Sequence, residues 1–213
     1  MKVIPADGFD KKVSDCEQGY SGYEFMHICF GYSETFIEEV RDYQRRFNPR
    51  VTVIHSTVPV GTCMQLEAVH SPIQGVHPNL EQGIRTFVKF FGGPDAEAAA
   101  VPFKEVGMET KCVATSAHTE AAKLLDTTYY YWNIHYMRSV KKYCDEHKLD
   151  FDFVYKAWNS AYNAGYTELG MGHVARPVLD YHSGKTGGHC LVPNAKLLGN
   201  DIAKILLDAE EAL

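Results

Sequence analysis

The apolar positions change their period about halfway along the chain. Before about residue 117 they fall in short runs: Phe25-Met26-His27-Ile28-Cys29-Phe30, Val51-Thr52-Val53-Ile54-His55, Phe87-Val88-Lys89-Phe90-Phe91 and Cys112-Val113-Ala114-Thr115. Runs of this length, rich in β-branched and aromatic residues, predict strands. Between them, Glu34 to Phe47 and Asp95 to Val106 carry their apolar residues at helical spacing. Strand and helix in alternation predict a parallel sheet with right-handed crossovers, so residues 1–117 are expected to form a small α/β domain.

Beyond Ser116 the strand-like runs stop. Ser116 or Thr119 can cap a helix, with Glu120 well placed at the positive end of its dipole. From there to about His147 there is no Gly or Pro, and Leu124, Leu125, Thr128, Tyr131, Trp132, His135, Tyr136 and Tyr143 recur at helical spacing. A helix of about 28 residues spans about 42 Å, long enough to bridge two parts of a protein or to pack against a second subunit. A second helix is expected from Phe151 to Asn163, an irregular Gly-rich stretch from Gly165 to Gly188, and a last helix from Asn194 to Ala212. Residues 118–213 thus read as an all-α domain around one long central helix, and the domain boundary falls near residue 117.

Of the 213 residues, 45% are apolar and 23% charged, enough for a buried core. Lys and Arg number 21 against 27 Asp and Glu, a net charge of −6. Without a basic block, neither a nucleic acid nor a membrane surface is an expected partner. No apolar run approaches a bilayer span and the first residues lack the apolar stretch of a secretory signal, so a cytoplasmic location is expected. Cys16, Cys29, Cys63, Cys112, Cys144 and Cys190 are scattered singly, as reduced thiols are, and no His or Cys cluster has the spacing of a metal site.

Three places could carry chemistry. Cys190 follows Gly187-Gly188-His189 and precedes a predicted helix start, which suits a nucleophile: the glycines admit close backbone approach and a helix N-terminus favours thiolate. The alternative is a small hydrophobe beside a loop. Ser56-Thr57-Val58-Pro59-Val60-Gly61-Thr62 sits at the carboxyl end of a predicted strand, where ligands of open parallel sheets bind, although hydroxyls there also cap helices. Lys123 lies one turn into the long helix, where it could aim an ammonium at an oxyanion or simply face water. Ser183-Gly184-Lys185-Thr186 looks like the tail of a phosphate loop, but the leading glycine position is Leu179.

Taken in order, Ser56 to Thr62, Glu120-Ala121-Ala122-Lys123 and Gly187-Gly188-His189-Cys190 resemble the UDP-glucose and GDP-mannose dehydrogenases, the nucleotide-sugar dehydrogenase family. The resemblance implies a partial Rossmann-like sheet, and the aromatic face of the long helix, Tyr129 to Trp132 with Tyr136, needs burial that a homodimer built through that helix would supply. The resemblance also implies a sugar nucleotide as substrate and NAD as cofactor, with oxidation of an alcohol to an acid. Cys190 would capture the aldehyde as a thiohemiacetal that becomes a thioester. Lys123 would steady the negative oxygen and Thr57 would position water or the reacting hydroxyl. Ser56, Thr57 and Val58 would line the cofactor, and Gly187, Gly188, His189, Thr127 and Asn194 the substrate. The family's Ser-Pro-Glu glutamate falls near His77-Pro78-Asn79-Leu80-Glu81, which makes Glu81 its candidate.

The chain departs from that family in ways that bear on activity. Residues 1–24 contain no G-x-G-x-x-G, the feature that seats a pyrophosphate, which argues against a complete NAD site. The family's nucleotide-diphosphate-binding domain would follow Leu213. Thr127 stands where the family has asparagine, and Asn194 where it has aspartate. A relative that lost dinucleotide binding and serves as a binding or assembly module is therefore the alternative, with an NAD-independent thiol enzyme as a third reading.

Overall fold

The structure is a computed structural model that describes residues 8, 22–75, 78–186 and 190–211. It is a mixed α/β fold. The strands are β1 (Phe25–Ile28), β2 (Val51–Ile54), β3 (Val69–His70), β4 (Lys89–Gly92) and β5 (Thr110–Val113). The helices are α1 (Phe36–Phe47), α2 (Thr62–Gln65), α3 (Leu80–Thr86), α4 (Ala96–Glu105), α5 (Ser116–His147), α6 (Trp158–Glu168), α7 (Leu191–Leu198) and α8 (Asp201–Glu211). The chain divides into two compact units, Met1–Leu124 and Leu125–Leu213. The division falls inside α5 because its first turns carry Thr119, Glu120 and Leu124, all buried within the first unit.

In the first unit the five strands form one sheet in sequence order. β1 pairs parallel with β2 in the register Ile28↔Ile54, and β2 pairs parallel with β3. β4 and β5 are also parallel, but β3 and β4 run antiparallel through the single pair His70↔Gly92. The sheet is thus mostly rather than wholly parallel: β3 is only two residues long and is reached through the one-turn α2, both too short for the predicted periods to register. One core cluster joins Ile28, Ile54, Phe36, Val40 and Val58 on the α1 side. A second joins Val51, Val53, Phe91, Ala99 and Ala100 under α4. The alternation of β2 therefore buries both faces, as parallel strands covered by helices do.

Gly92 carries the contact between β4 and the start of α5. A Cβ there would lie 2.6 Å from Thr119 Oγ1 and 2.7 Å from the Thr115 carbonyl, so only glycine allows that approach.

In the second unit, α7 and α8 pack together through Ala195, Ala203 and Leu206 around Tyr131, with Leu191 and Val192 at the margin. The single predicted helix from Asn194 to Ala212 is two helices, because Gly199 adopts the left-handed conformation (φ 60°) that ends α7. The predicted helix from Phe151 begins with a π-helical turn, Asp152–Ala157, and then runs on as α6 to Glu168, past the predicted end. Of the aromatic face expected to need burial on α5, Tyr131 is buried while Tyr129, Tyr130, Trp132 and Tyr136 are exposed.

Candidate functional site

In the first unit the carboxyl ends of β1 and β2 lie side by side, so Cys29-Phe30 and His55-Ser56 form one edge. The His55 amide donates to the Ile28 carbonyl at 2.9 Å, and Ser56 Oγ donates to the Phe30 carbonyl. Thr57 is half-buried beside it and Val58 is part of the core. Gly61 takes a positive φ (93°) to start α2, and Glu120 reaches across from α5 to hold that turn. Its carboxylate, fully buried, accepts from the Gly61 amide at 2.6 Å and from the Cys63 amide at 2.8 Å. A carboxylate on the first free amides of a helix satisfies donors that would otherwise be orphaned and meets the positive end of the dipole. Burial, with the Glu120 charge beside it, pushes the Cys63 thiol up, so this cysteine is held as a thiol. Lys123, one turn further along α5, is half-buried in the same unit. The first two sequence motifs thus meet through Glu120.

A set of polar side chains, all buried except the exposed His27, laces the same edge together. His70 Nε2 donates to the Ser56 carbonyl at 3.2 Å, which leaves Nδ1 to accept from Thr119 Oγ1 at 2.9 Å. His55 Nδ1 donates to the Ser71 carbonyl at 2.7 Å, and its Nε2 accepts from His27 Nδ1 at 2.9 Å, with the two rings stacked. Lys89 Nζ donates to the Ser71 and Pro72 carbonyls at 2.7 and 3.0 Å. Burial, with the Lys89 charge nearby, depresses His55 to about 3. Burial likewise brings His70 to about 4 and Lys89 down to about 7. Both buried histidines are therefore neutral at physiological pH, and the tautomers follow from their carbonyl partners. The sequence offered a signal for this network: His27, His55 and Lys89 are polar residues inside apolar strand runs.

Cys190 belongs to the second unit. It is exposed at the N-cap of α7, where its carbonyl accepts from the Asn194 amide at 3.0 Å. Asn194 is buried and its Nδ2 donates to Thr127 Oγ1 at 3.2 Å. The two substrate-site candidates that depart from the resembled family therefore bond to each other. Gly187, Gly188 and His189 lie outside the described residues.

Glu81 stands on the solvent face of α3, where its carboxylate accepts from Arg85 at 3.1 Å. His77, which opened the segment used to place it, lies outside the described residues.

A polar recess of about 500 Å³ lies in the first unit at the opposite end of β2, against Arg41, Gln44, Arg50 and Gln65. Its arginines are already engaged, Arg41 with the Gln65 carbonyl at 3.3 Å and Arg50 with Glu24 at 2.6 Å. Among the described residues no cluster of His, Cys, Asp or Glu is arranged to hold a metal, and no helix is long and apolar enough to cross a membrane.

A mostly parallel sheet with candidate groups at its carboxyl edge, followed by a long helix, is a Rossmann-like α/β arrangement, and dehydrogenases are among the proteins that share it. Solved structures of that kind are similar to the chain across most of its length. The UDP-D-ManNAc dehydrogenase of Pyrococcus horikoshii matches 90% of the chain with a TM-score of 0.70 at 16% identity, over 51% of its own length. The UDP-glucose dehydrogenase of Pyrobaculum islandicum matches 89% with a TM-score of 0.64 at 15% identity, over 50% of its length. The 3-hydroxyisobutyrate dehydrogenase of Mycobacterium tuberculosis matches 87% with a TM-score of 0.59 at 13% identity, over 72% of its length. The chain thus spans about half the length of the nucleotide-sugar dehydrogenases whose fold it shares. No family model and no curated protein matches its sequence.

Proposed function

We propose that the chain is an oxidoreductase of the nucleotide-sugar dehydrogenase type, acting on a sugar nucleotide or a smaller alcohol. The observation that supports this reading best is the grip of Glu120 on Gly61 and Cys63. It makes one device of the Ser-Thr-Val-Pro-Val-Gly-Thr turn and the Glu-Ala-Ala-Lys start of α5, two segments that the resemblance assigns to one chemistry.

The resemblance implies NAD, and the described residues fit part of it. The β1–β2 edge, with Ser56, Thr57 and Val58, offers backbone and hydroxyl groups where open sheets take ligands. The N-terminus of α1 is no seat for the diphosphate: Glu38 and Glu39 occupy its first turn, and Thr35 Oγ1 is bound to Glu39 at 2.7 Å. NAD, when bound, would supply the hydride acceptor for each of two successive oxidations, alcohol to aldehyde and thiohemiacetal to thioester. Each remaining role falls to the chain itself. The Cys190 thiolate adds to the aldehyde carbon, forming a C–S bond while the carbonyl pair moves to oxygen. Lys123 steadies that oxygen, and Thr57 orients water or the reacting hydroxyl. After loss of hydride the carbon is a thioester, and attack by water releases the acid and restores the thiol. Gly187, Gly188, His189, Thr127 and Asn194 form the substrate side, and residues 1–117 and 118–213 are the two functional parts. The exposed Tyr129, Tyr130 and Tyr136 of α5 make it the face through which two copies associate in the cytoplasm.

Incubation with NAD and a panel of UDP- and GDP-sugars tests the reading. NADH formation that disappears in Cys190→Ala supports it, and silence from the well-folded native protein refutes it.

A second reading, a non-catalytic relative that lost dinucleotide binding and serves as a binding or assembly module, is favoured by the acidic first turn of α1, with Glu38 and Glu39, and by Glu81, whose carboxylate faces solvent. Saturable binding of NAD in a calorimetric titration removes this reading.

A further inference from the structure

The segment leading to Cys190 is tied down by a group of residues that no reading above employs. Thr186, just before the Gly187-Gly188-His189-Cys190 run, is held by Glu210 of α8. Its amide donates to Glu210 Oε1 and its hydroxyl to Glu210 Oε2, the latter at 2.5 Å. Arg138 of α5 donates to the same hydroxyl at 2.9 Å, to the Gly184 carbonyl at 2.8 Å and to Glu210 Oε2 at 3.4 Å. Tyr131 OH completes the set by donating to Glu210 Oε2 at 3.0 Å. The side chains of Arg138 and Glu210 are only 15% and 12% exposed. Burial pushes the Tyr131 phenol up to about 12, so it remains a donor.

Glu210 accepts four hydrogen bonds, Thr186 Oγ1 both donates and accepts, and the Arg138 guanidinium spans the carboxylate, the hydroxyl and a backbone carbonyl. A planar guanidinium with several fixed donors suits such a junction, and a lysine there could not reach all three acceptors. On the other side of the run, Cys190 is fixed as the N-cap of α7, which is packed on α8 and tied to α5 through Asn194 and Thr127. Thr186 and Cys190 are therefore each anchored to the same two helices.

We infer that Arg138 and Glu210 are positioning residues, a clamp that grips Thr186 against the two helices that also seat Cys190. Its catalytic meaning rests on the proposed role of Cys190, whereas the clamp itself is measurable without any substrate.

The test compares Thr186→Val, which keeps the shape but loses the hydroxyl, with Thr186→Ser, which keeps both of its bonds. Glu210→Gln serves as a second probe of the acceptor. Amide hydrogen exchange at Gly184, Lys185 and Thr186 is expected to quicken at least tenfold in Thr186→Val and Glu210→Gln and to stay within twofold of native in Thr186→Ser. Exchange in the sheet should not change. With a sugar nucleotide that the native protein oxidises, Thr186→Val should lower kcat at least tenfold and leave KM within twofold, and Thr186→Ser should restore kcat. Native exchange rates in Thr186→Val overturn the clamp, and faster exchange with unchanged kcat overturns its positioning role. Absence of NADH formation by the native protein refutes the enzymatic reading of Cys190 and with it the positioning role, while the exchange result still decides whether the clamp exists.

Discussion

The Asn194 amide group donates to the Thr127 hydroxyl at 3.2 Å, so a residue of α7 and a residue of α5 that differ from the resembled family are partners in this chain. The pair is neutral and Asn194 is 6% exposed. Replacing Thr127 by Val keeps the volume and removes the acceptor, leaving a buried amide donor without this bond. A loss of about 1–2 kcal/mol is expected in urea unfolding, and an unchanged midpoint would show the bond to be dispensable.

Catalysis separates the roles of thiol and amine. Cys190→Ala should abolish NADH formation on any sugar nucleotide the protein accepts. Lys123→Met should reduce kcat by about 10²–10³, the usual cost of removing one group aimed at developing negative charge. Steady-state NADH assays decide, and a Lys123→Met enzyme with native kcat would assign that lysine to the solvated surface.

Glu120 supports the start of α2 from within the core. Glu120→Ala leaves the Gly61 and Cys63 amides without their acceptors and should destabilise the first unit by about 2–4 kcal/mol. Glu120→Gln, which still offers one amide oxygen, should lose less. Equilibrium unfolding followed by circular dichroism ranks the three proteins, and equal stability of all three would contradict the capping role.

Acid should unfold the protein early. His55 and His70 are held at about 3 and about 4, below the value near 6.5 they regain on unfolding. Between those limits the unfolded chain binds more protons, so the stability these residues contribute is present above pH 6.5 and is lost as pH falls toward 4 and 3. The unfolding free energy is expected to drop by on the order of 1–4 kcal/mol over that window. His70→Gln should flatten the pH dependence. A native profile level from pH 7 to 4 would mean that neither ring is held neutral in the folded state. Lys89 acts in the alkaline range: with its amine at about 7, its contribution grows from pH 7 to 10.5.

Self-association through α5 is open to a direct measurement. Light scattering of the native protein should return twice the mass of one chain, and Tyr129→Glu with Tyr136→Glu should return that of one. A native monomer refutes the dimer.

The parts of the fold legible in the sequence are those whose burial imposes a period. β1, α1, β2, α4 and α5 each repeat an apolar pattern over several residues, and each appears near its expected place. Two-residue β3 and one-turn α2 carry no repeat and leave no trace in the apolar pattern. The break between α7 and α8 was visible as Gly199, but the apolar spacing continues across it. At the candidate site, Cys190, Lys123 and Thr57 stand out by residue type and neighbours. Glu120 was seen only as a charge near a helix start, because a carboxylate that caps another helix is recognisable only once the chain has folded. The partnership of Arg138 with Glu210 joins positions far apart in the chain, and nothing local to either announces it.

Gly92 shows how little material separates a working junction from a broken one. A single methyl at that position would collide with the Thr119 hydroxyl, whose proton serves the His70 ring, and the ring in turn serves the Ser56 carbonyl. The smallest possible side chain would thus dislodge the root of the long helix and unstring the rim of the sheet in one stroke, although it touches no reacting group.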